Sequence, residues 1–403
     1  MIKSYNEREQ NFQYFVLSGQ SGGMEITMKK VGLYKTKVDL LMYGVNITIA
    51  TLNCYCGTYK ENNYGYNNPN QSDSKEFLSS LPTELLLDNE IIVSFRYNPS
   101  SSYCIKSDGK DLKLYHGDNV ICKVHLSKRP SFWKCQCKSG IPMKRIGSVY
   151  GLSTLTFFLV NYCEYFKNNQ QCKFCSIQST YDKMKSVEFK KKVEDIVDVI
   201  KQTKVEDDNY SFLNFIGGSL YDSDSEFLSY INCIRKICDE LRCEQLNGYV
   251  VSMPPYSKEL LKELRFAGIN GVKFNLEVSS EDLFAQICPG KSVYGYKNIE
   301  SKLLEAVDIF GKNHVYTNMI LGLEPLENIV LKVESLAKCG IGVALHIYHC
   351  DFNSSLKPIE MKDTDVVDVY YEIDKINKKY GIIPWLDKKS SRGCLSWDLY
   401  LGT

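Results

Sequence analysis

The stretch TLTFFLVNYCEYFKNNQQCKFCSI (residues 154–177) joins an apolar run to a loop that carries three cysteines. Two residues separate Cys172 from Cys175, so this pair can chelate one metal centre, and eight residues separate Cys163 from Cys172. Three thiolates leave one coordination position open, whereas a structural zinc site normally has four protein ligands. The loop therefore indicates an iron–sulfur cluster with one available iron. A zinc knuckle whose fourth ligand lies elsewhere and a coincidence in a cysteine-rich chain are alternatives that the spacing leaves open.

Apolar runs alternate with amphipathic stretches from this loop onward. The runs cover residues 154–160, 212–218, 248–253, 271–279, 316–323 and 342–349. Each run reads as a strand and the stretches between them read as helices, which is typical of parallel βα units. We therefore predict an α/β fold with a partial or complete parallel (β/α) barrel of about six units. Ligands of such sheets bind at the C-terminal ends of the strands, where the cysteine loop follows the first strand.

The N-terminal third has a different, irregular pattern. The stretches LLMYGVNITIATLNCYC (40–56), EIIVSFRY (90–97) and LKLYHGDNVICKVHL (112–126) read as strands, with a hairpin turn at residues 116–119. One helix is predicted near residues 74–87. We therefore expect a smaller α+β domain of unknown role over residues 1–147. The barrel core would follow over residues 148–356, and a C-terminal helix and capping segment over residues 357–403.

Composition excludes some partner classes. The chain has 403 residues, and 49 Lys and Arg residues balance 48 Asp and Glu residues, which leaves a formal charge of +1. No global field therefore favours nucleic acid or an anionic membrane. The N-terminus is polar, and no apolar stretch approaches the roughly 20 residues that a membrane span requires. We predict a cytoplasmic protein that binds neither nucleic acid nor membrane.

Cysteine usage also favours a cytoplasmic protein. The chain has 16 cysteines and no secretory signal, so reduced thiols and a metal site explain them better than a disulfide framework. Two CxC pairs, Cys54/Cys56 and Cys135/Cys137, lie in the N-terminal third. Their spacing leaves open whether they are scattered thiols or part of a second metal site.

The cysteine loop, a Gly-Gly strand end at Gly217 and Gly218, and the βα series occur in an order that resembles the radical S-adenosylmethionine (radical SAM) enzymes, within the biotin-synthase-like branch. Residues 254–296 and 305–324 are similar to a group in that branch that carries a PGK segment after the fourth strand, here residues 289–291. The resemblance covers about half of the chain. One departure is the first gap of the cysteine motif, because the usual loop of the superfamily is CxxxCxxC.

The resemblance implies a [4Fe–4S] cluster on Cys163, Cys172 and Cys175, with S-adenosyl-L-methionine bound to the unique iron through its amino and carboxylate groups. It implies reductive cleavage of that cofactor and hydrogen abstraction from a small-molecule substrate by the 5′-deoxyadenosyl radical. An external one-electron donor of the flavodoxin or ferredoxin type would supply the electron. The alternative is a zinc- or cluster-stapled barrel that binds a ligand without turnover.

Cofactor contacts follow partly from the resemblance and partly from strand parity. The resemblance makes Phe174 a cofactor-binding candidate, directs Gly217 and Gly218 at the methionyl amino group, and suggests an adenine contact near Asn318 and Ile320. For the Gly pair, a tight turn is the alternative.

In residues 271–279, side chains alternate, so Lys273 and Glu277 should face the barrel interior. Glu277 and Ser279 are therefore candidates for contacts with the ribose or methionyl group. A purely structural Lys273–Glu277 pair is the alternative.

Catalytic candidates come from the last strand, where His346 and Tyr348 share one face. Both should point into the barrel, His346 as a proton donor or acceptor and Tyr348 as a hydrogen-bond or radical partner; a core histidine is the alternative. Lys291 of the PGK segment lies either at the barrel mouth or on a solvated loop. Residues 390–402 either cap the barrel bottom or close over substrate. The run FKKK (189–192) reads as a solvated helix face.

Overall fold

The computed structural model describes residues 21–62, 77, 80–178, 191–205, 210–350, 354 and 356–401, with side chains from residue 30 onward. Its larger sheet has seven strands in sequence order. They are β7 (Ser148–Tyr150), β8 (Thr154–Phe158), β9 (Phe212–Ile216), β10 (Leu246–Val251), β11 (Ile269–Lys273), β12 (Val315–Leu321) and β13 (Gly342–Ile347). Strand β7 pairs antiparallel with β8, and β8 to β13 are parallel. The predicted series of parallel strands is confirmed, as a partial barrel whose edge strands are β7 and β13.

Helices connect the parallel strands. Those of the described part of this region are α3 (Val193–Val205), α4 (Ser223–Leu241), α5 (Lys258–Phe266), α6 (Glu281–Ile287), α7 (Pro289–Ser292), α8 (Tyr296–Phe310) and α9 (Leu326–Lys338), and α10 (Asp363–Tyr380) follows the last strand. Leu261 and Leu264, which lie three positions apart on α5, are both fully buried, whereas Phe266 is exposed. Helices with one apolar face therefore cover the outer face of the sheet.

Strand alternation separates the two faces of the sheet. Phe157 of β8 and Phe215 of β9 are fully buried and stack with ring centroids 5.7 Å apart. Thr156 and Asn214, which are register partners, therefore lie on the opposite, inner face. The inner face carries polar groups, and the outer face packs against helices.

The C-terminal segment contacts the start of the barrel strands. The Oγ atom of Ser390 lies 2.7 Å from Oγ1 of Thr154, the first residue of β8, and the N–H of Leu152 donates to the carbonyl of Lys389 over 2.9 Å. Because parallel strands share their direction, this is the end opposite the cysteine loop. Of the two alternatives that the sequence left open for residues 390–402, capping of the barrel bottom agrees with these contacts.

The smaller sheet has six strands in the order β1-β4-β5-β6-β2-β3. Its strands are β1 (Asn46–Ile47), β2 (Glu84–Leu87), β3 (Ile91–Ser94), β4 (Tyr103–Ser107), β5 (Leu112–His116) and β6 (Asn119–Leu126). Helices α1 (Ser21–Tyr43) and α2 (Ile49–Asn53) accompany it. The hairpin predicted at residues 116–119 is confirmed between β5 and β6. The sheet differs from the barrel sheet in topology, and the domain boundaries at residues 147 and 356 stay a prediction.

Three local predictions are wrong. Residues 40–43 belong to α1 and residues 49–53 to α2, because an apolar run by its composition alone does not distinguish a buried helix from a strand. Residues 84–87 form β2 instead of the end of a helix, and residues 74–76 of that predicted helix lie outside the described residues. Residues 191 and 192 of the FKKK run are not a solvated helix face, because α3 begins at Val193 and Lys191 is buried, and residues 189 and 190 lie outside the described residues. Among the described residues, no helix has the length and apolarity needed to cross a membrane.

Candidate functional site

The cysteine loop leaves the C-terminal end of β8 and turns back on itself. Cys163 precedes a short 3₁₀ helix (Glu164–Asn168), and Asn169 ends this helix in the left-handed conformation, with φ of 54°. Asparagine tolerates this conformation better than most residues. The N–H of Gln170 then donates to the carbonyl of Tyr165 over 2.8 Å. This reversal brings Cys172 and Cys175 back toward Cys163.

The end of β9 supports one side of the loop. A Cβ atom on Gly218 would overlap the carbonyl oxygen of Tyr162 and lie 2.7 Å from the N atom of Cys163. The N–H of Glu164 donates to the carbonyl of Ser219 over 2.9 Å. A side chain at position 218 would therefore collide with the cysteine loop, which occupies that space. Gly217 is less crowded, since its Cβ would lie 3.0 Å from the carbonyl oxygen of Val160.

The PGK segment supports the other side of the loop. The N–H of Lys173 donates to the carbonyl of Ile287 over 2.9 Å, and the N–H of Gly290 donates to the carbonyl of Gln170 over 2.8 Å. A Cβ on Gly290 would lie 2.5 Å from the ring of Tyr165. The segment that carries the resemblance to the PGK group is thus in direct backbone contact with the predicted cluster loop.

The three thiols share one buried environment. Burial raises the pKa of Cys163, with a smaller contribution from Cys172, and burial together with Cys172 raises the pKa of Cys175 to about 12. The side chain of Cys288 hydrogen-bonds to Cys172 and lowers the pKa of this thiol. A metal that binds here must displace thiol protons, as thiolate ligands require.

A charged network lies beside the thiols. Nζ of Lys291 is 2.8 Å from Oε1 of Glu277, and Nδ2 of Asn318 donates to Oε2 of Glu277 over 2.8 Å. Glu277 is buried and has a φ of 67°, a left-handed conformation that is unusual for a residue with a side chain. Burial works against the charge of Lys291, but Glu277 and the nearby thiols hold its pKa well above the usual value. Of the two alternatives for Lys291, a solvated loop is therefore wrong, and a position at the barrel mouth agrees with its contact with Glu277 beside the cysteine loop.

Lys273 extends this network toward the barrel bottom. Its Nζ lies 3.7 Å from the ring centroid of Trp385, in cation–π geometry, and 3.5 Å from Oδ1 of Asn318. Burial lowers the pKa of Lys273 to about 7. Strand parity predicted that Lys273 and Glu277 share one face, and Asn318 lies between them in the structure.

The other predicted cofactor residues have separate surroundings. Ser279 bonds to Glu324 through both its N–H, over 2.7 Å, and its hydroxyl group, so it is not part of the Glu277 network. Ile320 is buried, and Phe174 is partly buried against the core beside Cys175. The structure therefore brings Glu277 and Asn318 together and places Ser279 with a different partner.

The two catalytic candidates differ in their surroundings. His346 lines a cavity of about 20 Å³ together with Trp385 and Cys394, a volume that holds about one water molecule. Burial, and the positive charges of Lys273 and Arg392, lower the pKa of His346 to about 3, so this imidazole is neutral near pH 7.

Tyr348 is buried near the cysteine loop. Its hydroxyl group donates to the carbonyl of Leu356 over 2.9 Å and contacts the hydroxyl group of Ser354. Ser354 in turn donates to the carbonyl of Lys173, next to Cys172, over 3.2 Å. Tyr348 and His346 both lie inside the barrel, and only Tyr348 is linked to the cysteine loop.

Sequence reasoning missed two buried charged groups, Glu226 and Lys191, and left Lys291 between two alternatives. Glu226 of α4 is buried, and burial raises its pKa to about 8 while it accepts the N–H of Leu220 over 2.8 Å. Lys191 is buried with Nζ 5.7 Å from the ring centroid of Phe158, and burial lowers its pKa to about 7. A single charged residue at a helix start or in a basic run carries no sequence signal of burial.

Comparison with known proteins gives partial matches. No protein-family model matches the chain. The bacteriochlorophyllide c C-7(1)-hydroxylase of Chlorobaculum limnaeum is 32% identical over 115 residues, which are 27% of this chain and 29% of that protein. The chain thus matches less than a third of the length of this relative.

Solved structures with a similar arrangement have low sequence identity. The FeFe-hydrogenase maturase HydG from Carboxydothermus hydrogenoformans has a TM-score of 0.46 and 15% identity, over 62% of this chain and 59% of that chain. Methylornithine synthase (PylB) has a TM-score of 0.40 and 13% identity, over 60% and 71%. A radical SAM methyltransferase from Sphaerobacter thermophilus has a TM-score of 0.40 and 12% identity, over 71% and 76%. In its cysteine loop and its parallel βα series, the chain resembles the radical SAM enzymes.

Proposed function

We propose that the chain is a radical SAM enzyme that binds a [4Fe–4S] cluster through Cys163, Cys172 and Cys175 and acts on a small-molecule substrate. When bound, the cluster would supply one electron for reductive cleavage of S-adenosyl-L-methionine, and the 5′-deoxyadenosyl radical would abstract hydrogen from that substrate. The observation that carries the proposal is the cysteine loop at the C-terminal end of the first parallel strand. Backbone contacts from Ser219 and from the PGK segment support this loop on both sides.

The donor set fits a cluster better than a single ion. Three thiolates on one tetrahedral zinc ion, at a zinc–sulfur distance of about 2.3 Å, would lie about 3.8 Å apart. Within the described residues, the sulfur atoms of Cys163, Cys172 and Cys175 do not all lie within 4.8 Å of one another. Their wider spacing favours a polynuclear cluster with one open position over a zinc knuckle.

The inner face of the sheet offers groups for a polar ligand. Side-chain oxygens of Thr156 on β8, Asn214 on β9 and Asn275, two residues after β11, are buried without a hydrogen-bond partner in the structure. Buried polar groups are normally paired, so these unpaired oxygens favour a polar molecule or water inside the barrel. These groups support binding of a cofactor and a small substrate within the barrel.

The charged network would position these molecules and hold the local charge. Lys291 places a positive charge beside three thiols that lose their protons when they bind iron, and Glu277 fixes the position of this ammonium group. Glu277 and Asn318, which we propose contact the cofactor, are hydrogen-bonded to each other and belong to this network. The C-terminal cap, together with Ser354 and Leu356, would exclude water from the barrel. An external one-electron donor of the flavodoxin or ferredoxin type completes the proposal.

Anaerobic reconstitution with iron and sulfide tests the function. We expect a brown protein with about four irons per chain, which forms 5′-deoxyadenosine when dithionite and S-adenosyl-L-methionine are added. Cys163→Ala, Cys172→Ala and Cys175→Ala should each abolish the visible absorbance, whereas Cys54→Ser and Cys56→Ser should retain it. Full absorbance in any of the three loop variants, or a parent protein that binds zinc or no metal at this loop, would contradict the proposal and favour a binding protein without turnover.

A further inference from the structure

A second group of metal-ligating side chains lies away from the cysteine loop. Cys137, Asp195 and Asp198 place one ligand atom each within 4.8 Å of the others. Cys137 belongs to the second CxC pair, in the connector before the barrel, and the two aspartates lie on α3, the first helix of the barrel. Because they are three positions apart, both aspartates lie on one helix face. Cys137 and Asp195 are buried, and Asp198 is partly buried.

Hydrogen bonds hold the two carboxylates in place. The hydroxyl group of Ser139 donates to Oδ1 of Asp195 over 2.6 Å, and the N–H of Lys138 donates to Oδ2 of Asp198 over 2.8 Å. The sulfur of Cys137 lies 3.7 Å from the carbonyl oxygen of Asp195. Bonds of this kind orient the ligands of known metal sites. The connector turn at Lys138 and Ser139 therefore positions the carboxylates beside the thiol.

One oxygen of this group has no partner. Oδ2 of Asp195 makes no hydrogen bond, and it is also shielded from water, because only 2% of this residue is exposed. A buried carboxylate without full hydrogen bonding is costly, and a second carboxylate three residues away adds repulsion. Nζ of Lys138 lies 3.5 Å from Oδ1 of Asp198, but the Lys138 side chain is 87% exposed and contributes little. The unpaired oxygen therefore points to a missing cation.

We propose that Cys137, Asp195 and Asp198 form a second metal site, which binds one Zn²⁺ ion independently of the cysteine loop. One thiolate and two carboxylates are common zinc ligands, and the sulfur disfavours Mg²⁺ or Ca²⁺. Burial and the two carboxylates raise the pKa of the Cys137 thiol to about 12, so zinc binding would release its proton. The ion would join the connector to α3, and water would complete the tetrahedron. This site does not depend on the proposed radical chemistry.

Metal analysis of the full-length chain tests the site. After anaerobic reconstitution, the protein is incubated with Zn²⁺ and desalted, and zinc and iron are measured in the same sample. We expect about one zinc per chain in addition to the cluster iron. Cys137→Ser and Asp198→Asn should lose the zinc and keep the iron, whereas Cys163→Ala should lose the iron and keep the zinc. Zinc at parent levels in both Cys137→Ser and Asp198→Asn, or no zinc in the parent, overturns the proposal.

Cobalt gives an independent readout of the sulfur ligand. With Co²⁺ in place of Zn²⁺, a thiolate-to-cobalt charge-transfer band in the near ultraviolet should appear in the Cys163→Ala/Cys172→Ala/Cys175→Ala background, which lacks the loop thiols, and disappear when Cys137→Ser is added. Cys339→Ser changes an exposed cysteine and should leave the band unchanged. Asp198→Asn preserves side-chain shape, and thermal unfolding of this variant checks its fold. A band that persists without Cys137, or that disappears with Cys339, contradicts the proposed ligand set.

Discussion

Lys291 and Glu277 form a largely buried ion pair, with Nζ 2.8 Å from Oε1, that joins the PGK segment to the segment that follows β11. Their side chains are 13% and 4% exposed, so water screens the pair little. The pair lies beside Cys172, whose backbone neighbour Lys173 also bonds to the helix before the PGK segment. One interaction therefore connects the unusual backbone at Glu277, the PGK segment and the thiols.

Removal of one member of this pair should be costly. Lys291→Met leaves the buried Glu277 carboxylate without its cation, and we expect the free energy of unfolding to fall by about 3–5 kcal/mol. Chemical denaturation of the chain measures this loss. The double variant Lys291→Met/Glu277→Gln should lose less than the sum of the two single variants, because neither charge is then left alone.

An exposed ion pair provides the control for the Lys291 and Glu277 variants. Lys297 lies 3.6 Å from Glu281, and their side chains are 82% and 51% exposed. Lys297→Met should change the free energy of unfolding by no more than about 1 kcal/mol. Equal losses in Lys291→Met and Lys297→Met would mean that the Lys291–Glu277 pair is solvated in solution.

Gly218 should be required for cluster binding. The resemblance directs this glycine at the methionyl group of the cofactor, but in the structure its missing side chain makes room for Tyr162 and Cys163. Gly218→Ala should therefore displace the cysteine loop and lower the iron content after reconstitution several-fold. Iron analysis with thermal unfolding measures the effect. The control is Gly32→Ala, at a helical position where a Cβ meets no atom within 4 Å, and it should keep the parent iron content. Parent iron content in Gly218→Ala would instead mean that this glycine contacts only the cofactor.

The sequence predicts the barrel strands well because their signal is local. Runs such as residues 342–349 combine β-branched and apolar residues with clear boundaries, and β13 occupies Gly342–Ile347. Residues 40–43 have similar composition but continue α1, since burial against the small sheet decides between helix and strand there. Tertiary contacts that the sequence does not contain settle such cases.

The site, too, could be predicted from the sequence only where its signal is local. Three cysteines with a recognisable spacing predict their own proximity, and parity places Glu277 on the inner face. The partner of Glu277 is Lys291, fourteen residues away across α6, and the partner of Cys137 is a helix about sixty residues later. Pairs of this kind depend on how loops pack at strand ends, and no local pattern encodes them.

Lys273 should make stability depend on pH above neutrality. Its pKa is about 7 in the folded chain, whereas an unfolded lysine keeps its proton up to about pH 10. Between these values the unfolded state binds one more proton, so stability rises with pH, by up to about 2–3 kcal/mol from pH 7 to pH 9. Lys273→Met should remove this rise, as measured by urea denaturation at both pH values. A parent rise that persists in Lys273→Met would show that other groups cause it.

Tyr348 should support the loop that contacts Lys173. Tyr348→Phe removes the bond to Leu356 and the contact with Ser354, and we expect a loss of about 1 kcal/mol in the free energy of unfolding. Formation of 5′-deoxyadenosine without substrate should continue, because the thiols stay in place. Tyr256→Phe, which changes an exposed ring stacked on Tyr294, should alter neither property. Loss of the cluster in Tyr348→Phe would show that this hydroxyl group holds the cysteine loop itself.

His346 should make the protein less stable in mild acid without acting as an acid near neutrality. Its pKa is about 3 in the folded chain and about 6.5 in an unfolded one, because burial, Lys273 and Arg392 disfavour the imidazolium. Between pH 6.5 and pH 3 the unfolded state binds the additional proton, so stability falls as pH falls through this window, by about 2 kcal/mol between pH 7 and pH 5. His346→Gln carries no titrating group and should lose less stability over the same interval, as urea denaturation at the two pH values measures. If parent and variant lose the same stability, His346 titrates with an ordinary pKa, and the proton-transfer role that its strand position suggested becomes the better interpretation.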